Sequence, residues 1–328
     1  MHPAFSVIFL TTLIGAGQGL FLALVTAQVY ALFNLVDTQP TGFYGAGGVL
    51  SLVLLGLGLF ASVFHLGKPE YFITRAWRGM TQWRTSWLSR ELIALPAFMG
   101  LVFLYTVANY ADMTGILFTL GGKLPVDTIL LLGVVGAVMA FVLYICTAMI
   151  YASVRFLQEW HSPLTVANYL LLGLASGFTL AAAFAAWQGV DLVGMFAGWA
   201  VVFTLLGAVT RVAALYRNAR IEHKSTLQTA LGIRHTKIQQ KSMGFMGGSF
   251  NTREFFHGAS EGKVQFMRAF FLVATFIVPV LMLWGTAEGA VALPVLAFLF
   301  QYLGVMAERW CFFVDAKHPQ NLYYQSMA

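Results

Sequence analysis

A histidine and a glutamate in this sequence are spaced so that they could exchange protons with a molecule held at a membrane surface. His65 ends one strongly apolar run, and Glu91 stands where the next apolar run begins. Helices that follow one another in a chain usually pack as neighbours, so the two side chains can approach each other. Histidine titrates near neutral pH, and a carboxylate beside it completes a pair that can donate and accept protons. Quinone chemistry needs such a pair, because two protons accompany two electrons at the ring.

Four further residues are candidates for the same pocket. Gln18 lies in the first apolar run between Gly17 and Gly19, and this stripe of small residues indicates close helix packing or, alternatively, a flat surface for a quinone ring. Trp87 and Arg90 are typical of an aromatic belt and of docking charge at a membrane interface. The predicted quinone pocket therefore consists of His65, Glu91, Gly17, Gln18, Trp87 and Arg90.

Other interpretations of these residues stay open. His65 can be an ordinary amphipathic side chain at the interface, and Glu91 can do no more than interact with the dipole at a helix start. A haem held by His65 and His161 is less favoured, because neither histidine lies inside a predicted span opposite another. Cys146 and Cys311 are too few for an iron–sulfur cluster or a zinc site, so we predict no metal in this chain.

The elements that must position these residues are membrane-spanning helices. Hydrophobic residues make up 59% of the 328 residues and charged residues only 10%, far below the roughly 25% charge of a soluble protein. Apolar runs long enough to cross a hydrocarbon core of about 30 Å recur, and in lipid a helix satisfies its own backbone. The predicted fold is all-α, a single polytopic membrane domain over residues 1–328. Its eight predicted spans are Phe5–Phe33, Phe43–Phe64, Leu92–Tyr110, Val126–Ile150, Thr165–Trp187, Leu192–Leu215, Ala269–Thr286 and Ala290–Phe312.

The distribution of cationic residues predicts the topology. Of the 19 lysines and arginines, 18 belong to the side that carries both termini and the loops after spans two, four and six, and only Lys123 belongs to the other. Cationic loops are retained in the cytoplasm, so both termini should be cytoplasmic. The net charge of +6 is thus a topology signal, and we expect no nucleic-acid partner.

Two of the cytoplasmic loops matter for function. The loop 66–91 carries the predicted quinone site. Residues 216–268 form a long basic loop with aromatic residues among glycines, for which we predict docking of a partner protein, with anchoring on anionic lipid headgroups as the alternative. The middle of the spans carries no charged residue, which argues against an ion-coupled transporter. A transporter of small anions and a purely structural anchor remain as alternatives.

Two motifs carry a family resemblance. The run Phe64–Pro69 reads Phe-His-Leu-Gly-Lys-Pro, and Ser86–Glu91 reads Ser-Trp-Leu-Ser-Arg-Glu. With the eight-span plan they resemble the DmsC family, the membrane anchor subunits of dimethyl-sulfoxide-reductase-type molybdenum enzymes. The resemblance implies that His65 and Glu91 take part in binding and oxidising quinol. It also implies two partners, a molybdopterin catalytic subunit and a ferredoxin-like subunit with four iron–sulfur clusters.

The insertion between spans six and seven and the segment Ala307–Trp310 resemble the branch of that family that anchors a cytoplasm-facing sulfite dehydrogenase. That branch implies sulfite oxidation to sulfate in the partners and reduction of ubiquinone or menaquinone at this chain. Molybdopterin and iron–sulfur clusters then belong only to the partner subunits. The implied location is the bacterial cytoplasmic (inner) membrane, with the catalytic partners on its cytoplasmic face.

The alternative within the family is the anchor of a reductase of the DMSO or polysulfide type, in which quinol is oxidised. In either direction we expect electroneutral turnover, because no chain of carboxylates is visible inside the predicted spans.

Overall fold

Among the residues that the structure describes, eight helices are long and apolar enough to cross a membrane. The computed structural model describes residues 1–64, 77–121, 124–242, 254–284 and 291–324. Within these ranges the all-α, multi-pass fold is confirmed, and the helices differ from the predicted spans by only a few residues except at the start of the seventh. They are α1 (Phe5–Leu32), α2 (Thr41–Val63), α3 (Trp87–Tyr110), α4 (Thr128–Ala152), α5 (Pro163–Gln188), α6 (Val193–Asn218), α7 (Glu261–Trp284) and α8 (Ala292–Val314).

Helices α1 and α5 are the most buried of the eight and pack directly on each other. Gly19 of α1 lies against Gly173 and Gly177 of α5, where a side chain at Gly177 would overlap the backbone of Gly19. On another face of α1, a Cβ atom added to Gly17 would contact α2, at 3.2 Å from the carbonyl oxygen of Ser51. The glycines of α1 therefore let two neighbouring helices approach closely, which confirms the helix-packing interpretation of this stripe.

The seventh spanning helix begins at Glu261, whereas the sequence predicted a start at Ala269. Ser260 caps the helix, since its Oγ accepts a hydrogen bond from the backbone N–H of Lys263. The first two turns carry Lys263 and Arg268, and these charges excluded the segment from a span defined by hydropathy. The helix thus extends beyond the apolar run that predicted it.

A π-helical turn, Val273–Ile277, interrupts α7. Such a turn leaves a backbone carbonyl without its regular helical partner. The carbonyl of Thr275 accepts a hydrogen bond from Gln301 Nε2 of α8 at 3.2 Å, and the same nitrogen donates to Thr204 Oγ1 of α6 at 2.9 Å. Gln301 therefore joins three helices in the interior of the bundle.

The connection between α3 and α4 contains an antiparallel hairpin of β1 (Ile116–Leu120) and β2 (Leu124–Asp127), which lies almost entirely between the third and fourth predicted spans. Gly121 follows β1 with a φ of +60°, a conformation that favours glycine. Asp127 ends the hairpin and caps α4 by accepting a hydrogen bond from the backbone N–H of Leu130 at 2.7 Å. The hairpin thus sets the start of α4.

The opposite end of the bundle, where α1 begins and α8 ends, is called the basic end. The long loop predicted over 216–268 is shorter here, because α6 continues to Asn218 and α7 starts early; its residues 243–253 lie outside the described ranges. The rest of the loop packs on the C-terminal segment. Phe255 stacks on the ring of His318 with the centroids 3.8 Å apart, and Tyr323 donates its hydroxyl to the carbonyl of Ala230.

Candidate functional site

Glu91 is buried at the start of α3 and has a hydrogen-bond partner on α4. Ser86 caps α3 by accepting from the backbone N–H of Ser89, which places Glu91 in the second turn. Thr147 Oγ1 donates to Glu91 Oε1 at 2.5 Å. Within the described ranges no cationic side chain lies at ion-pair distance from this carboxyl group. Glu91 can therefore gain or lose a proton without breaking an ion pair.

A small cavity of about 20 Å³ adjoins Glu91 and Thr147. Gln18 and Tyr144 also line it, and each donates to a backbone carbonyl of a neighbouring helix, at 2.9 and 2.7 Å respectively. A cavity of this size holds about one water molecule. The cavity is polar and could hold a water molecule that exchanges protons with Glu91. Because it is too small for a quinone ring, the ring would have to bind beside it.

The structure brings two of the predicted site residues, Glu91 and Gln18, to this cavity. Trp87 and Arg90 do not line it. The guanidinium of Arg90 lies 4.0 Å from the ring centre of Trp87 and donates to the backbone carbonyl of Trp83 at 2.8 Å. Arg90 thus ties the start of α3 to the turn before it. Gly17 faces α2 and is a helix-packing residue.

His65, the other half of the predicted proton pair, lies outside the described residues, as does the rest of 65–76. Its neighbour Phe64 ends α2 at the basic end, where α3 also begins. Phe64 borders an apolar groove of about 400 Å³ between α1 and α2. The groove is also lined by Ser6, Phe9, Leu13, Leu57, Phe60 and Ala61.

A second buried group of ionisable residues was missed by the sequence reasoning. Arg211 Nε of α6 lies 2.7 Å from Glu308 Oε1 of α8, and Arg309 Nε lies 3.5 Å from Glu308 Oε2. All three side chains are at most 4% exposed. The sequence does contain an indication of this group. Arg211, Glu308 and Arg309 lie within apolar helices, where ionisable residues are costly and usually functional.

Comparison with known proteins identifies the family. The sequence matches the family model described as DMSO reductase anchor subunit (DmsC) over residues 1–324. The chain belongs to the DmsC family.

Two relatives show where this protein lies within the DmsC family. It is 56% identical over 329 residues to a sulfite dehydrogenase subunit of Allochromatium vinosum, with full coverage of both sequences. It is 26% identical over 173 residues to a subunit of the anaerobic dimethyl sulfoxide reductase of Haemophilus influenzae, covering 53% of this sequence and 55% of the relative. The protein is therefore a multi-pass anchor subunit of an oxidoreductase complex, as the motifs around His65 and Glu91 predicted.

Proposed function

We propose that this anchor subunit passes electrons between an iron–sulfur partner subunit and the membrane quinone pool, with Glu91 as a proton donor to the quinone. The observation that carries the proposal is the buried Glu91 carboxyl group, which has a hydroxyl partner and no ion-pair partner among the described residues. A positioned acid of this kind is what proton transfer to a quinone oxygen requires. The quinone supplies the redox chemistry, and the protein supplies the pocket and the proton.

The groove between α1 and α2 supports a location for the quinone at the basic end. Its lining is apolar and suits an aromatic ring with an isoprenoid tail, and its volume of about 400 Å³ lies within the usual range for ligand pockets. Phe64 borders the groove, so we propose that His65, the next residue, takes part in holding the ring. Gln18 would support Glu91 from the small cavity, and the contact between Arg90 and the Trp87 ring would hold the start of α3 in place beside the site.

The 56% identical relative supports sulfite as the electron donor of the complex. Sulfite and water give sulfate, two protons and two electrons; forming quinol from quinone takes two electrons and two protons and makes two O–H bonds. A molybdopterin subunit would carry out the first half and a four-cluster ferredoxin-like subunit would conduct the electrons. Ubiquinone or menaquinone would then be reduced at this chain.

The charge distribution supports a docking face at the basic end. The sequence topology assigns 18 of the 19 lysines and arginines to this end, so by the positive-inside rule we place it on the cytoplasmic side of a bacterial inner membrane. An open cavity of about 710 Å³ on this face is lined by Arg155, Lys224 and Lys317 together with parts of the long loop. We propose that the loop 216–268 and this face bind the iron–sulfur subunit.

The test begins with purification of the complex in mild detergent, followed by mass spectrometry of its subunits and extracted lipids. A molybdopterin subunit, an iron–sulfur subunit and bound quinone are expected. In the same complex, Glu91→Gln and His65→Gln should each lower quinone reduction by about 10²-fold or more. Sulfite oxidation with an artificial acceptor that takes electrons from the iron–sulfur subunit should be unchanged, and so should both activities of Asp37→Asn, an exposed carboxyl control at the opposite end of the bundle.

Full quinone reduction in both site variants of an assembled complex would refute the site. Purification of a lone chain without quinone would refute the electron-transfer function and favour a structural anchor or a transporter.

A further inference from the structure

A series of polar residues leads from the surface of the basic end to the cavity beside Glu91. It starts at His223, which lines the open cavity of about 710 Å³ and whose side chain is 39% exposed. His223 Nε2 lies 3.6 Å from Glu159 Oε1, and the Glu159 side chain is only 6% exposed. A surface group that can carry a proton is thus paired with a buried carboxyl group.

Glu159 is held in place by its two neighbours in the loop between α4 and α5. Trp160 Nε1 donates to the carbonyl of Phe312 at 2.9 Å, and the carbonyl of Gln158 accepts from Arg217 at 3.0 Å. The loop is therefore fixed to both α8 and α6. These two hydrogen bonds fix the residues on both sides of Glu159 and thereby position its carboxyl group.

Beyond Glu159 lies a cavity of about 10 Å³, close to the volume that one water molecule occupies. Glu159, Arg211, Glu308 and Arg309 all line it. Glu159 Oε2, Arg211 Nη2 and both carboxylate oxygens of Glu308 have no aligned hydrogen-bond partner among the described residues, although Arg211 and Glu308 form a close ion pair. Buried charged atoms of this kind are normally satisfied by water, so the cavity has both the room and the partners for one.

Arg309 connects this cavity to the one beside Glu91, because its side chain lines both. Its guanidinium carbon lies 3.5 Å from the ring centre of Tyr169, and Tyr169 lines the cavity of about 20 Å³ as well. The ring of Tyr169 stacks on that of Tyr151 at 5.5 Å. From His223 to Glu91, each step is therefore joined to the next by a contact, a shared residue or a shared cavity.

We propose that this series is a proton-uptake route that reprotonates Glu91 from the basic end, by way of His223, Glu159 and the two water-sized cavities. The proposal rests on the function proposed above, in which Glu91 gives its proton to the quinone. Per quinone molecule, two electrons arrive from the iron–sulfur subunit and two protons arrive from water at the basic end. Both protons enter at the end where the quinone is bound, so turnover is electroneutral.

The charges that line the cavity of about 10 Å³ are balanced, and on the entry side the N-terminal ammonium group of Met1 also interacts electrostatically with Glu159. Arg211 and Arg309 alone would repel a passing proton, as fixed positive charges do in channels that exclude protons. Glu308 and Glu159 offset them with two negative charges on the same cavity. The ion pairs thus hold the cavity open and polar without placing net positive charge in it.

The test uses the assembled complex with Glu159→Gln and, separately, His223→Gln, and Asp37→Asn as the matched control. Asp37 is exposed at the opposite end of the bundle, so its replacement makes the same carboxyl-to-amide change off the route and outside the docking loop. Quinone reduction by the two route variants should fall about tenfold at alkaline pH, where protons are scarce, and should approach the wild-type rate at acid pH. Formate or another small weak acid should restore the alkaline rate of Glu159→Gln.

A second readout needs no turnover. In D₂O, hydrogen–deuterium exchange at protonated Glu91, followed by the infrared C=O stretch that Glu91→Gln abolishes, should be slower in both route variants and unchanged in Asp37→Asn. If Glu159→Gln fails to assemble, His223→Gln decides alone, because it alters a partly exposed ring.

Wild-type exchange and a wild-type pH profile in the route variants, together with loss of quinone reduction in Glu91→Gln, would overturn the route alone. Full quinone reduction in Glu91→Gln would instead overturn the proposed function.

Discussion

Glu91 and Glu308 are two buried carboxyl groups near the same end of the bundle, and they differ in their partners. Glu91 accepts a hydrogen bond from the hydroxyl of Thr147. Glu308 lies between the guanidinium groups of Arg211 and Arg309, at 2.7 and 3.5 Å. A hydroxyl can donate to a carboxylate or accept from a carboxylic acid, whereas a guanidinium can only donate. Glu91 therefore keeps a partner in either protonation state, and Glu308 has favourable partners only as a carboxylate.

This difference separates a chemical role from a structural one. The ion-pair cluster of Arg211, Glu308 and Arg309 joins α6 to α8. Removing one of these side chains would leave a buried charge uncompensated. Glu91 joins α3 to α4 only through a hydrogen bond. Proton exchange is thus expected at Glu91, while Glu308 stabilises the helices around it.

The largest expected effect comes from breaking the ion pair. Arg211→Met should lower the free energy of unfolding by about 3–5 kcal/mol, because Glu308 stays buried with one distant cation. Unfolding of the purified protein in detergent micelles, followed by circular dichroism, measures this. The triple variant Arg211→Met/Glu308→Leu/Arg309→Met removes all three buried charges and should regain most of the loss; a triple variant no more stable than the single one would contradict the assignment.

The partner of Glu91 comes next. Thr147→Val keeps the shape of the side chain but removes the hydroxyl, so quinone reduction by the assembled complex should fall about tenfold, or about 1.4 kcal/mol. Thr147→Ser keeps the donor and should retain most of the activity. Equal activities of the valine and serine variants would show that the hydrogen bond is not used.

A smaller effect is expected at Arg90, which lies outside the cavity. Arg90→Gln removes the contact with the Trp87 ring and should lower the free energy of unfolding by about 0.5–1 kcal/mol. Neither Arg90→Gln nor Arg90→Lys should change the KM for quinone. A several-fold rise in KM would instead return Arg90 to the quinone site.

The smallest effect is expected for the stability of Glu91→Gln. The amide can still accept from Thr147, so the free energy of unfolding should stay within about 0.5 kcal/mol of the wild-type value. The same detergent unfolding experiment compares it with Arg211→Met. A loss as large as that of Arg211→Met would mean that Glu91 is also a structural residue.

Much of the fold was predictable from the sequence, and the exceptions have identifiable causes. Hydropathy missed the start of α7, because Lys263 and Arg268 lie in its first turns. It also missed the hairpin before α4, which forms through pairing between strands and carries no membrane signal. At the site, Glu91 and Gln18 were predicted and do line one cavity. Arg90 was predicted for the same pocket but lies over the Trp87 ring and does not line this cavity, because successive residues of a helix point in different directions.

The sequence by itself determined the eight spanning helices and the family motifs, because lipid admits only helices that satisfy their own backbone and because motifs are local in the chain. The partners of each buried group were decided by the tertiary structure alone. Thr147 meets Glu91 from α4, Arg211 meets Glu308 from α6, and Arg309 lines two cavities at once. These contacts join residues from different helices, and no spacing within one helix encodes which face of a distant helix will pack against it.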